Sequence, residues 1–337
     1  MRENDFNRLL KALNHEKLDE PVLFEYVINN MEILNKLAGY AIADDATEIE
    51  KLTHSTKAYA AAGYDYVIYT PEDFSFHHKK IHKGKSISMN EGAEITDMES
   101  FRKFPWPDPN NSDFSILQKA DTILPEKMKI ILRAPLGVLA NTQLFCGYEN
   151  LCLFTYDDPD LIKAVCDAIG ERLYEYYRIC LSYDRVGAVF YNDDWGFTSG
   201  LMFSIDFFKV YIFPWVKKFT DLIHRNGRPA LIHSCGRVDL LMDYIVDDLK
   251  FDARHSFEDK IMPIEEAYKL YGERIAMLGG IDVDFLCRAP KEEIYQRCKN
   301  MLSLGKKGYA LGSGNSIPPY VPVDSYFAMM SAAGLQV

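Results

Sequence analysis

Residues 187–235, GAVFYNDDWGFTSGLMFSIDFFKVYIFPWVKKFTDLIHRNGRPALIHSC, decide how the rest of the chain is read. They hold two short β-rich runs, Gly187 to Asp193 (GAVFYND) and Pro229 to Cys235 (PALIHSC), on either side of a stretch of helical period from Ser204 to Asn226. Continuous apolar runs suit strands buried on both faces, and a helix between two of them is a parallel crossover unit. The same alternation extends in both directions. Further runs are Pro21 to Tyr26 (PVLFEY), Asp65 to Thr70 (DYVIYT), Lys129 to Leu136 (KIILRAPL), Phe251 to Phe257 (FDARHSF), Ile275 to Asp282 (IAMLGGID) and Tyr309 to Asn315 (YALGSGN). Helices are also predicted over Asp160 to Tyr183, Ile264 to Gly272 and Lys291 to Lys306, the last opened by Pro290 and the acids Glu292 and Glu293. Eight strands, each with room for a helix after it, predict an α/β chain folded as one (β/α)8 TIM barrel over residues 1–337.

The 337 residues include 38 Lys plus Arg against 49 Asp plus Glu, a net charge of -11, with 48% hydrophobic and 13% aromatic residues. That apolar content can bury a large core, which excludes disorder. The acidic balance, with no Lys/Arg cluster interleaved with aromatics, argues against a nucleic-acid partner. No run approaches the ~18 consecutive apolar residues of a membrane helix, and the opening segment is charged and mixed. Neither a membrane partner nor a secretory signal is therefore expected, and the expected compartment is cytoplasmic. Seven cysteines, an odd number scattered from Cys146 to Cys298, read as reduced thiols. The one basic knot, Lys79 and Lys80 with His77, His78 and His82, reads as a solvated loop. The stretch Asp73 to Pro125 is too long for a plain connection, and the prolines of Phe104-Pro105-Trp106-Pro107-Asp108-Pro109 deny it regular helix. It reads as an excursion over the barrel mouth, with a surface insertion of no functional role as the alternative.

In such barrels the chemistry gathers at the carboxyl ends of the strands. The residues falling there are Glu25, Asn192, Asp193, Asp194, His233, Cys235, His255, Glu258, Asp282, Ser313 and Asn315. Residues two apart on a strand share a face, so His233 and Cys235 can reach one point, and an imidazole with a thiolate suits Zn(II). The plainer reading is a buried thiol beside a hydrogen-bonded core histidine. Glu258 ends the next strand, ~4.8 Å away, where it could complete a three-ligand site with an open position; it could equally be a solvated loop acid. Asp193 and Asp194 are adjacent acids at a buried rim, one candidate for function and one for capping a helix, with Trp195 as an apolar wall. Gly279-Gly280 and Gly312-Ser313-Gly314 are turns of a kind that binds phosphate in many barrels, or that simply lets backbones approach. There is no dinucleotide or Walker fingerprint and no G-x-S-x-G elbow.

FYNDDWG, LIHSCG, the H-S-F-E ending at Glu258, GGID and LGSGNSIPPYVPVDSYFAM together resemble the uroporphyrinogen decarboxylase superfamily. That group of (β/α)8 barrels also holds cobamide-dependent methyltransferases and is related to cobalamin-independent methionine synthase. The decarboxylase branch holds its polyanionic substrate with an arginine-bearing loop after the first strand, whereas the first hundred residues here contain only Arg2 and Arg8 and the first strand carries Glu25. The methyltransferase branch implies zinc bound by an H-x-C pair, matching His233 and Cys235, and by a second Cys whose place is taken by Ser313. The methionine synthases imply a zinc carboxylate at Glu258.

The resulting expectation is a zinc-dependent methyltransferase working with a corrinoid (cobalamin) on a partner protein and with a small methylated substrate or thiol. Its metal ligands are expected to be His233, Cys235 and Glu258. Asp193, Asp194 and Glu25 are expected to handle substrate or protons, and Asp282, Asn315 and Trp195 to contact substrate. The rivals are a metal-free lyase built on Asp193 and His233, and a non-catalytic corrinoid or small-molecule binder.

Overall fold

Seven of the eight runs form strands in a computed structural model, which describes residues 2–76 and 93–334. They are β1 (Tyr66–Tyr69), β2 (Lys129–Arg133), β3 (Val186–Asn192), β4 (Ala230–His233), β5 (Ala253–His255), β6 (Ala276–Leu278) and β7 (Tyr309–Ala310). Each pairs in parallel with the next, so the sheet order follows the sequence. Helices on the outer side cover the sheet, which is why β4, for example, is buried along its whole length. Among the described residues one apolar cluster runs through sheet and helices.

The first run behaves differently from the seven. Pro21–Tyr26 makes one parallel bridge, Leu23 to Leu311, with the Phe24 N–H donating to Leu311 O (2.7 Å) and the Leu311 N–H to Val22 O (2.8 Å). Toward β1 a side chain replaces the ladder. The Tyr66 hydroxyl accepts from the Glu25 N–H at 2.7 Å and donates to the Glu25 carbonyl at 2.9 Å. Pro21 has no N–H to offer, and the phenol occupies the place a second set of backbone bonds would need. The described chain is thus a curled seven-stranded parallel sheet with a bridged edge, where the sequence predicts eight full strands.

Helix Pro159–Cys180 is continuous, with Asp158 capping it through the Leu161 N–H. The stretch predicted as one helix over 204–226 is instead divided. A short turn Ile205–Phe207 and a π-type turn Phe208–Ile212 precede helix Phe213–Arg225, whose first turn holds Pro214. Proline cannot donate within a helix, so the ladder re-registers in front of it. A small antiparallel hairpin, Gly196–Phe197 with Gly200–Leu201, follows β3.

In the excursion the described residues include helices Met98–Lys103 and Ser115–Ile123, with the proline run non-helical up to a 3₁₀ turn at Pro109–Asn111. Its aromatics are packed, with Phe104 and Trp106 both against Phe145. The basic knot at 77–82 lies outside the described residues. Among the described residues no helix is long and apolar enough to cross a membrane.

Candidate metal centre

His233 ends β4 and Cys235 lies two residues on, so the strand's period of two brings both side chains to one side. His233 Nε2 is 3.3 Å from Cys235 Sγ. The third donor comes from the loop after the neighbouring strand β3, whose Asn192 is in register with His233. Asp194 Oδ1 accepts the Cys235 N–H at 2.8 Å and lies 3.9 Å from His233 Nε2. The three ligand atoms all fall within 4.8 Å of one another. Gly236 makes this possible: it sits at φ +81°, and a Cβ there would lie 2.0 Å from Gly196 O. Only glycine lets the chain turn away against the loop that carries Asp194.

A ring of polar contacts supports these donors. The Ser256 hydroxyl donates to Cys235 Sγ at 3.4 Å and the Asn315 amide donates to it at 3.5 Å. Ser256 holds φ at 84°, a left-handed value costly for a residue with a Cβ, and such strain concentrates at functional positions. The Tyr26 ring stacks on His233 with centroids 4.4 Å apart. Behind it, His233 Nδ1 meets His255 Nδ1 at 2.8 Å, and His255 Nε2 meets the Ser313 carbonyl at 3.2 Å.

Burial governs the charges. It pushes His255 down to about 3 and holds His233 well below its ordinary value, helped in each case by nearby cationic groups. Both imidazoles are therefore neutral. Burial, then the Asp194 charge, pushes the Cys235 thiol up to about 12, so the thiol keeps its proton until a cation displaces it.

Asp193 faces the other way and is fully committed. Its carboxylate accepts from the Leu139 N–H (3.1 Å), the Ala140 N–H (2.8 Å), the Tyr191 hydroxyl (2.6 Å) and Trp195 Nε1 (3.0 Å). It thereby caps helix Val138–Cys146 from across the fold, and burial pushes it up to about 6 despite those bonds. Trp195, expected as a substrate wall, is a core residue packed on Tyr191, Phe208 and Phe213.

Glu25 also points away from the donors. Its neighbours Phe24 and Tyr26 contact Phe190 and His255, so alternation turns Glu25 to the opposite face. There it accepts from the Ser313 N–H (2.8 Å), and its Oε2 lies 2.5 Å from Ser313 Oγ, which is also 2.5 Å from the Asn315 carbonyl. Ser313 has one hydroxyl proton for two contacts, and the carbonyl can only accept, so the second proton belongs to Glu25. A neutral carboxylic acid agrees with complete burial pushing Glu25 up to about 8. The Ser313 hydroxyl, at the place where the resemblance implies a sulfur ligand, is thus engaged elsewhere.

Glu258 is not one of the three converging donors; Asp194 stands where that carboxylate is expected. Glu258 is half-buried, and burial with the charges of Asp282 and Asp194 raises its pKa. It lines a cavity of about 950 Å³ together with Asp282, Phe285, Asn315 and Tyr320. Asp282 caps helix Val283–Arg288 and accepts the Asp259 N–H. Asn315 therefore joins the cavity to the sulfur.

Arg133 is a site residue that the sequence reading passes over inside KIILRAPL. Its Nε donates to Thr70 Oγ1 (3.0 Å) and its Nη1 to the Tyr26 hydroxyl (3.1 Å), and among the described residues no carboxylate pairs with it. A guanidinium directly after the apolar run Ile130 to Leu132 is the signal that could have marked it. The pairing of His255 with His233 depends on the register of β4 and β5, which a single sequence does not carry.

Fold and geometry first define a class, an α/β protein with three convergent metal-type donors at the carboxyl ends of a curled parallel sheet. Residues 7–334 match the family model described as uroporphyrinogen decarboxylase (URO-D), and the chain belongs to that family. Its fold is similar to that of a methyltransferase from Methanosarcina mazei, at 17% identity, 99% coverage of both chains and a TM-score of 0.73. More distant likenesses are a B12-independent methionine synthase from Shewanella sp. W3-18-1 (11% identity, 64% of each chain, TM-score 0.44) and a putative one from Listeria monocytogenes (11%, 94% and 98%, 0.48). No curated protein sequence matches.

Proposed function

We propose that this protein is a zinc-dependent methyltransferase that moves a methyl group between a small methylated substrate or thiol and a corrinoid on a partner protein. The observation that carries the reading is the convergence of Asp194, His233 and Cys235. The donors fit zinc chemically: one neutral imidazole nitrogen, one sulfur braced by two hydrogen-bond donors, and one carboxylate. Family membership and the fold neighbour support methyl transfer as the chemistry. Zinc bound there supplies Lewis acidity, either to deprotonate a thiol or to polarise an ether or alcohol oxygen.

The chain's own residues have distinct parts in this reading. A carboxylate in place of a second thiolate keeps the formal charge but donates less electron density, which would leave a bound zinc more Lewis-acidic and favours demethylation of a methylated compound over thiol activation. Ser256 and Asn315 hold the sulfur, and Asn315 faces the cavity where substrate has room. Arg133, with only neutral oxygen partners among the described residues, is available to an anionic end of the substrate. We read the curled sheet as a (β/α)8 barrel whose eighth stave is Pro21–Tyr26, supported by the Leu23 bridge and the Tyr66 hydroxyl. Cysteines that are all free suit a cytoplasmic setting.

The test is elemental analysis of purified protein, followed by assay of methylated compounds with a reduced corrinoid protein. The expected outcome is one zinc per chain, lost in Cys235→Ser, and a methylcorrinoid absorption spectrum that needs the zinc-loaded protein. A zinc-free protein that Cys235→Ser leaves unchanged would favour the metal-free lyase. That rival is already weakened, because four donors occupy the Asp193 carboxylate it requires.

A further inference from the structure

We propose that His255 is a positioning residue that fixes which nitrogen of His233 is free, through a hydrogen-bond chain anchored at the Ser313 carbonyl. The argument is a count of protons. A carbonyl oxygen only accepts, so the 3.2 Å contact from His255 Nε2 requires an N–H on that atom. His255 is packed against Phe24 and Phe190 and among the described residues no carboxylate is bonded to it, so it carries one N–H and its Nδ1 keeps a lone pair. That lone pair faces His233 Nδ1 at 2.8 Å, and the contact needs a proton, which His233 Nδ1 must supply. His233 Nε2 is then the bare nitrogen, and it is the atom 3.3 Å from Cys235 Sγ and 3.9 Å from Asp194 Oδ1.

The surroundings hold this chain in one arrangement. Ser313 O is itself fixed by the Gly280 N–H at 3.0 Å. Gly279, at φ +69°, gives His255 its path: a Cβ there would lie 2.1 Å from Ser313 O and 3.2 Å from His255 Nε2. Stacking of Tyr26 on His233 and packing of Phe24 and Phe190 on His255 oppose a ring flip. Flipping either ring would exchange a nitrogen for a carbon in the pair and break it. A backbone carbonyl beside β7 thus sets the donor atom presented beyond β4. A metal ligand needs its second nitrogen oriented and its bonding nitrogen bare, and this chain achieves both.

The consequence for metal binding rests on the zinc reading, but the assignment of protons can be tested without metal. Long-range 1H–15N NMR of metal-free wild-type protein labelled at histidine should show His233 as the Nδ1–H tautomer and His255 as the Nε2–H tautomer. A wild-type His233 protonated at Nε2 overturns the proposal. Chelator competition then compares Zn2+ and Co2+ affinities of wild type, His255→Phe and His255→Asn. The phenylalanine variant should lose about 10–100-fold, whereas asparagine, whose Oδ1 can accept from His233 Nδ1–H, should stay within a few-fold. Folded variants that both match wild type overturn the proposal as well. If wild type binds neither ion, the zinc reading fails while the NMR result still decides this one.

Discussion

Asp193 and Asp194 are consecutive residues that serve two regions of the molecule. Asp193 lies in the layer between sheet and helices, where four donors surround it and its role is architectural. Asp194 lies on the inner side, half exposed, with one backbone donor and a share in the convergent centre. Glu25 and His233 repeat the contrast, since one is turned into the outer layer as a neutral acid and the other faces inward as a neutral base. The lesson is that a polar residue at a strand end becomes a candidate for chemistry only if it faces inward with lone pairs to spare.

The largest effect should come from breaking the outer side. Asp193→Ala leaves two backbone N–H groups, the Tyr191 O–H proton and the Trp195 indole N–H without an acceptor in the core, which should cost about 3–5 kcal/mol in urea unfolding. A cost below about 1 kcal/mol would erase the distinction between the two acids. On the inner side the balance reverses. Asp194→Ala should change stability by less than about 1 kcal/mol, because the residue is half exposed, while zinc affinity in competition with a chelator drops about 10–100-fold.

Glu25 sharpens the comparison through pH. Folded, it releases its proton near about 8, against an ordinary value of 4.5. Between those values the unfolded chain has lost a proton that the folded chain keeps. The stability present below 4.5 therefore declines as pH rises toward 8, by at most about 1.4 kcal/mol per unit. Glu25→Gln offers Ser313 the same acceptor and donor with no proton to lose. In thermal melts from pH 5 to 9 it should gain on wild type up to about pH 8 and level off above it, and a constant difference would contradict the neutral acid. The smallest effect is expected at Glu258. If Asp194 is the carboxylate donor, Glu258→Gln should alter zinc affinity less than threefold, and a loss equal to that of Asp194→Ala would exchange the two roles.

Much of the fold is legible because strands buried on both faces must be written as apolar runs, as in PALIHSC and GAVFYND. The first run is written the same way, but its closure by a phenol from Tyr66 has no local signal. The break before Pro214 is foreseeable from proline's missing donor, yet the helical period of the stretch masks it. His233 and Cys235 are legible because their spacing is the strand's own period. Which of Asp193 and Asp194 faces inward depends on the turn after β3, and the reach of Glu258 depends on the path of the chain beyond β5. Arg133 and the His233–His255 pair arise from neighbours across strands, information that lies in register.

The bridge from Leu23 to Leu311 also bears on the order of assembly. The one backbone ladder contact of the opening run joins it to a residue roughly three hundred positions later, so during synthesis that run leaves the ribosome long before its partner exists. β1 to β7 can zip up successively, each on a neighbour already made. This run is thus made long before its partner and seated only after it, and until then the edge of β7 stays unpaired.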